Sequence, residues 1–370
     1  MTVKELIARS KAAQAAFAFA TQEQADAAAR AICKVVYDNA EKLGPMAAEE
    51  SRMGSEQDKI AKCRNKSALI WESLKDKKSC DIINRIEERR MIEVAKPVGV
   101  VASIIPSTNP VVTPMSNGAF ALKCRNSVIF APHPRAVKCT KLLVEMFRAE
   151  LKKLGLPEDL VLGLEEVSND LTSELMSAAD MVVATGGMGM VKAAYSSGKP
   201  AIGVGQGNVQ CIIDEDADIA DAVGKIIIGR AFDNGLICLG EQTVFVPEDK
   251  EAEFVAEMKK QGGYLVEGEE NVDKLREGLF PGGDAFSRVV VGMFADQVSD
   301  EIGLGAPKGT RVLFAKAKAL GAGDVLCREK LCPVIAYMTY KTFKEGVAMM
   351  EANLEHEGKG HSIAVHSNTP

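Results

Sequence analysis

The stretch Val98-Gly-Val-Val-Ala-Ser-Ile-Ile105, followed by Pro106-Ser-Thr-Asn-Pro110, decides the fold. Val98–Ile105 is an apolar, β-branched run, the composition of a strand buried on both faces. A helix is expected next, over Pro114–Lys123. The rhythm then repeats as strand Val128–Ala131, helix Arg135–Leu154, strand Leu160–Leu162, helix Leu171–Ser177, strand Met181–Ala184, helix Met190–Ser196 and strand Ala201–Val204. Short buried strands alternating with amphipathic helices predict a parallel sheet with crossover helices, an α/β domain of nucleotide-binding type.

Upstream, residues 2–76 read as helix throughout. Thr21-Gln-Glu-Gln24 is a capping-box start, Gly44-Pro45 a stop, and Ser55-Glu-Gln-Asp58 opens a helix carrying Trp71, the only tryptophan. Ile82–Val94, with Glu87-Glu-Arg-Arg90 at its centre, suits a helix or two short strands around a charged turn. Beyond Cys238 the alternation loosens into strand Thr243–Val246, helix Glu251–Gln261, strands Val289–Val291, Thr310–Phe314 and Val334–Tyr337, and helix Phe343–Ala352. That is a second α/β unit.

A chain of 370 residues divides into two or three domains. Its 45 Lys+Arg against 51 Asp+Glu give a net charge of −6, which argues against a nucleic-acid partner. The longest apolar stretch, Pro97–Ile105, falls far short of the roughly 18 residues that span a bilayer, so no membrane partner is expected. The N-terminus lacks the apolar core of a secretory signal. Nine scattered cysteines, odd in number and without a close CxxC pair, point to a reducing cytoplasm.

Several residues could carry chemistry. Thr185-Gly-Gly-Met-Gly189 lies between a strand and a helix, where glycines admit a ligand to the backbone and the helix N-terminus favours an anion. The spacing is not GxGxxG, and a tight turn is the bland alternative. A second cluster, Gly203-Val-Gly-Gln-Gly-Asn208, follows one strand later, and ligands of parallel sheets bind at strand carboxyl ends. Cys238 sits between Gly235 and Gly240 on an irregular segment, a placement that suits a nucleophile, whereas the other eight cysteines suit buried structural thiols. Asn109 between prolines reads as a turn residue, which its spacing favours, with an amide aimed at an oxyanion as the functional alternative. His356, His361 and His366 are spaced by five, which keeps them off one face of a helix or strand, and no metal site is expected. His361, in Gly358-Lys-Gly-His-Ser362, is the best acid/base candidate among the histidines.

Taken together, Lys96–Val100, Pro106–Pro110, Ala131-Pro-His-Pro-Arg135, Ala184–Val191, Ala194–Pro200, Phe232–Cys238 and Glu329-Lys-Leu-Cys-Pro-Val334 resemble the aldehyde dehydrogenase superfamily, specifically its CoA-acylating branch. They occur in the family's order across nearly the whole chain. The resemblance implies an aldehyde dehydrogenase-like α/β fold: a Rossmann-type parallel-sheet cofactor domain (residues 1–78 and 97–228), a small oligomerisation hairpin (79–96) and an α/β catalytic domain (229–370). It implies Cys238 as the thiol that attacks the aldehyde, and Asn109 with the backbone N–H of Cys238 as the oxyanion hole. Thr185, Gly186, Gly187, Gly189 and Gly205 would flank NAD or NADP, Glu329 would hold the nicotinamide ribose, and His133, Pro134 and Arg135 the adenosine side.

Hydrolytic members carry Glu-Leu-Gly-Gly-Lys where this chain has Gly203–Asn208. The water-activating glutamate is missing, so the thioester on Cys238 is expected to wait for coenzyme A, with His361 as acid/base in that half. Val111–Asn117 and Gly207–Gln210 resemble CoA-dependent succinate-semialdehyde dehydrogenases most, with an acetaldehyde or propionaldehyde enzyme, or an inactive nucleotide-binding fragment, as alternatives. Ser107, Ser116 and Arg230 are candidates for the substrate carboxylate. The family continues past His366–Pro370 with a tail that completes the catalytic domain, and its full-length members are expected as homodimers or homotetramers.

Overall fold

The computed structural model describes residues 1–369. The chain forms two compact units, residues 1–52 with 56–205, and residues 53–55 with 206–370. The first begins with α1 (Val3–Phe17), α2 (Gln22–Asp38), α3 (Ala40–Ser51) and α4 (Glu56–Leu74), then the hairpin β1 (Asp81–Ile86) and β2 (Met91–Ala95). It continues as β3 (Val100–Ile105), α5 (Val112–Lys123), β4 (Ser127–Pro132), α6 (Val137–Lys153), β5 (Val161–Gly163), α7 (Asn169–Ala178), β6 (Met181–Thr185), α8 (Met188–Tyr195) and β7 (Ala201–Val204). Strands β3 to β7 form an all-parallel sheet in the order β5-β4-β3-β6-β7.

Successive residues of β3 feed opposite cores. Val101 and Ile105 join α2, α5 and α6 on one face, and Val100, Ala102 and Ile104 join α1, α7 and α8 on the other. Thr21 makes the expected capping box with Gln24. Gly44-Pro45 is not a stop: the break falls at Asn39, and both residues lie inside α3. Gly44 is there for packing, since a Cβ would come within 2.6 Å of Ile60 on α4.

The second unit contains β8 (Val209–Ile213), α9 (Ile219–Ala231), β9 (Glu241–Pro247), α10 (Glu251–Lys260), β10 (Gly263–Leu265), α11 (Glu269–Leu279), α12 (Ala295–Ile302), β11 (Val312–Lys316), β12 (Val334–Tyr340), α13 (Phe343–His356) and β13 (Ile363–His366). Its sheet is also all parallel, in the order β10-β11-β12-β9-β8-β13. The boundary expected after residue 228 moves to 205/206, because β8 hydrogen-bonds to β9 and β13 and α9 packs into the core of this second sheet. Val289–Val291 forms no strand. Val290 is buried, and Gly292, with φ +69°, accepts from Gly54 N and Asn234 Nδ2, so the segment fastens two loops instead. Among the described residues no helix is long and apolar enough to cross a membrane.

Candidate active site

In the first unit the chain runs from β3 outward to β4 and β5, then returns to the other side of β3 as β6 and β7. The loops after β4, β3 and β6 therefore open at one topological switch point, the usual place for a ligand of such a sheet. Register keeps them level, with Ile105 opposite Pro132 and Ile104 opposite Ala184. Those loops carry His133–Arg135, Asn109 and Gly186–Gly189. Seven of the residues singled out from the sequence (Asn109, His133, Pro134, Arg135, Gly186, Gly187 and Gly189) thus sit on neighbouring strand ends.

Around the β6 end, Thr185 pairs with Val204 and Gly186 N donates to Val204 O at 3.1 Å. Gly187 is the N-cap of α8 and offers no side-chain cap to it. A Cβ at Gly187 or Gly189 would meet nothing within 4 Å, whereas one at Gly205 would lie 2.9 Å from Met188 Sδ. The backbone N–H groups that open α8 are thus exposed to a ligand, with the positive end of the helix behind them. At the β4 end a cavity of about 620 Å³ is lined by Met46, Glu49, Glu50, Arg52, Pro134, Arg135 and Lys138. Glu50 was not foreseen. Its carboxylate accepts from Lys138 N at 2.6 Å and Cys139 N at 2.8 Å, capping α6 from another helix. His133 Nδ1 accepts from Arg135 N at 3.1 Å, which fixes the turn. Open glycines, a bare helix start and a roomy cavity along adjacent strand ends fit a dinucleotide.

Asn109 is half-buried, and its side chain is held. Lys62, on α4 and only 5% exposed, donates from Nζ to Asn109 Oδ1 at 3.0 Å, while Asn109 Nδ2 donates to Thr108 Oγ1 at 3.2 Å. No periodicity singles Lys62 out, because α4 is rich in lysine and only the fold turns this one inward.

In the second unit the chemistry gathers at the amino ends of the strands. Glu329 precedes β12, Cys238 precedes β9, Gly207 precedes β8 and His361 precedes β13, and these four strands are consecutive neighbours. Cys238 is exposed, while seven of the other eight cysteines are buried and Cys124 is also exposed. The approach to Cys238 is irregular: Asp233, Asn234 and Gly235 have φ of 50°, 53° and 73°, a left-handed run that two non-glycine residues hold at a cost. Asp233 Oδ1 accepts from Ser55 N at 3.2 Å, and Asn234 Nδ2 donates to Gly292 O at 2.9 Å. Gly235 admits no side chain, since a Cβ would fall 2.5 Å from the backbone of Cys332.

Gly207 is the hub. A Cβ on it would lie 2.8 Å from Cys238 O, 3.2 Å from Cys238 Cβ and 3.1 Å from His361 Nε2, so Cys238 and the His361 imidazole converge on this glycine. Its N–H donates to Glu329 Oε1 at 2.9 Å. Burial pushes the Glu329 carboxyl up to about 7, against the stabilising pull of that N–H. Glu357 braces the group from behind: one oxygen accepts from Glu329 N at 2.7 Å and the other from Arg328 Nε at 3.2 Å. Asn208 Nδ2 ties Cys327 O to Glu357 O.

Burial lowers the pKa of His361, whose Nδ1 accepts from Ser362 N at 2.8 Å. In this arrangement the neutral ring carries its hydrogen on Nε2, the nitrogen that lies beside Gly207; it becomes a base only when the Ser362 bond is given up. Arg230 is not available to a substrate. It is fully buried, with Nη2 donating to the carbonyls of Lys330 and Cys332. Ser116 Oγ is engaged by Val112 O at 2.7 Å within α5. Among the described residues no group of three or more metal-ligating side chains is present.

The model of the aldehyde dehydrogenase family matches residues 1–274. The chain is 47% identical over 368 residues to a succinate-semialdehyde dehydrogenase (acetylating) of Clostridium kluyveri, covering 100% of this chain and 81% of that protein. It is 40% identical over 372 residues to a sulfoacetaldehyde dehydrogenase (acylating) of Bilophila wadsworthia, covering 99% and 80%. An acetylating aldehyde dehydrogenase from Geobacillus thermoglucosidasius superposes with a TM-score of 0.94 at 36% identity, over 99% of this chain and 81% of that one. A Rhodopseudomonas palustris propionaldehyde dehydrogenase, solved with bound CoA and an acylated cysteine, gives 0.86 at 28% identity, over 99% and 83%.

Proposed function

This chain belongs to the aldehyde dehydrogenase family, and on that premise we propose that it converts succinate semialdehyde and coenzyme A to succinyl-CoA, reversibly, with NAD(P)+ as oxidant. It is a CoA-acylating aldehyde dehydrogenase. The observation that carries the substrate is the 47% identity to the acetylating succinate-semialdehyde enzyme over the whole chain. The chemistry of the chain agrees: Gly203–Asn208 offers no ionisable side chain to activate water.

Cys238 acts as thiolate. Its Sγ forms a bond to the aldehyde carbon, the carbonyl electrons move to oxygen, and Asn109 Nδ2 donates to that oxyanion. When bound, NAD(P)+ supplies the two-electron acceptor for the hydride that leaves the same carbon. Thr185–Gly189, with Gly205, and the His133–Arg135 turn would hold the dinucleotide, and the Glu329 carboxylate would be the acceptor for its nicotinamide ribose. The thioester left on Cys238 is then attacked by the CoA sulfur. The C–S bond to Cys238 breaks, and the thiolate is restored. With its Ser362 bond opened, an unprotonated ring nitrogen of His361 takes the proton of the CoA thiol as the sulfur attacks.

The β1–β2 hairpin serves assembly into a homodimer or homotetramer. It is a two-stranded sheet that leaves Ile82, Ile83, Met91, Ile92 and Val94 exposed, and such a ribbon is marginal alone. A reducing cytoplasm suits its thiol chemistry. The test is reduced-cofactor formation from succinate semialdehyde, with and without CoA, beside acetaldehyde. Steady turnover only with CoA, and faster on succinate semialdehyde, is expected. Faster turnover on acetaldehyde would overturn the substrate, and equal rates without CoA the acylating chemistry.

A further inference from the structure

We propose that Lys62 is the positioning residue of the oxyanion hole: its buried ammonium grips Asn109 Oδ1 and thereby fixes which end of the amide faces the substrate. The inference rests on the proposed role of Asn109 and extends it to a helix that the reaction otherwise does not involve.

An asparagine side chain is nearly symmetric in shape but not in chemistry, since one end accepts and the other donates. Only the donating end stabilises an oxyanion. Asn109 lies on the loop after β3, half-buried, where two prolines restrain the backbone but nothing in the backbone selects one amide orientation over the other. An ammonium has three donors and no acceptor, so Lys62 Nζ, at 3.0 Å, can bond to Asn109 only through Oδ1. The turned orientation would set an NH2 against an NH3+. Thr108 Oγ1 adds a second restraint by accepting from Nδ2 at 3.2 Å, which uses one of its two N–H bonds and leaves the other for a ligand oxygen.

The charge matters as well as the geometry. Lys62 is only 5% exposed, and a bond from a charged donor in a buried setting is stronger than one between neutral groups. It polarises the amide in the sense that makes Nδ2 a better donor.

The experiment compares Lys62→Met, Lys62→Arg, Asn109→Ala and the Lys62→Met/Asn109→Ala double variant in the full chain. Steady-state kinetics with succinate semialdehyde and with a neutral aldehyde are measured beside NAD(P)+ affinity and thermal melting. Lys62→Met should lower kcat about 10²-fold on both aldehydes, the order lost with one oxyanion donor, while KM and cofactor affinity hold. Lys62→Arg should restore part of it, and Lys62→Met should cost nothing further once Asn109 is alanine.

Multiplying losses in the double variant would overturn the proposal, as would a rise in KM confined to succinate semialdehyde, which would make Lys62 a ligand of the substrate carboxylate. Should Lys62→Met not fold, Lys62→Gln, which keeps a neutral donor, replaces it in the same cycle. If Asn109→Ala loses rate and the Lys62 variants do not, only the positioning role falls. If Asn109→Ala keeps full rate, the oxyanion reading itself falls.

Discussion

The two sheets do opposite things with the same architecture. Both are parallel, yet the first gathers its candidate residues at the carboxyl ends of β4, β3 and β6, and the second at the amino ends of β12, β9, β8 and β13. A loop after a parallel strand leads into a helix N-terminus, where N–H groups and about half a positive charge await an anion. That suits a dinucleotide. The loops before β8, β9, β12 and β13 do not lead into a helix N-terminus and lack that field, so a reactive group there must be positioned by local means. Here those means are the left-handed run at Asp233–Gly235, the bare backbone of Gly207 and the Glu357–Glu329 brace. On the proposed assignment, the first set of strand ends would bind through a general property of the fold and the second would react through special geometry.

Four substitutions probe that division. The largest effect is expected from Cys238→Ala, which should lower kcat by about 10⁴-fold or more, as loss of a covalent nucleophile does. NAD(P)+ affinity, measured by fluorescence titration, should stay within about twofold, a change of roughly 0.4 kcal/mol; a parallel loss would collapse the distinction between the two ends. Gly207→Ala comes next. Its methyl group would meet Cys238 O at 2.8 Å and His361 Nε2 at 3.1 Å, so the thiol must shift. A displacement of that order costs about 10²-fold in kcat/KM, again with cofactor affinity intact.

Gly187→Asp sharpens the other side. The position is open and has φ −64°, so the backbone accepts a side chain, and aspartate should cap α8. The melting temperature should hold or rise while NAD(P)+ affinity falls about tenfold, from roughly 1.4 kcal/mol of charge repulsion. The smallest effect concerns Glu329, the group of the second unit assigned to the cofactor. Its carboxyl, raised by burial to about 7, is protonated below that pH and accepts well only above it. Cofactor affinity should rise several-fold between about pH 6 and 8, and Glu329→Gln should flatten the profile. For stability the sign runs the other way: a carboxyl raised on folding makes the native state less stable as pH climbs from the unfolded value through 7.

The contrast also explains what the sequence discloses. The first sheet is legible because β3, β4 and β6 are continuous apolar runs separated by ordinary helices, and their ends carry the glycines and prolines that mark ligand loops. The second is less so. β8 hides behind the glycine cluster at 203–207, β10 and β13 are short, and Val289–Val291 has strand composition but serves as a plug around Gly292. Cys238 is singled out by flanking glycines and by family likeness, not by periodicity. Lys62, Glu50 and Glu357 leave no such trace. Each is a charged residue on a helix or at its end, indistinguishable from its solvated neighbours until tertiary packing turns it inward, and each acts on a segment at least 28 residues away in sequence.

The central claim is that oxidation stops at a thioester on Cys238 until a thiol arrives. The most direct measurement is to mix the protein with succinate semialdehyde and NAD(P)+ without CoA, then locate modified residues by peptide mass spectrometry before and after adding CoA. We predict one equivalent of reduced cofactor, a succinyl group on the peptide containing Cys238, and its loss to succinyl-CoA when CoA is added. Continuous release of free succinate without CoA, or acylation at a residue other than Cys238, would contradict the account.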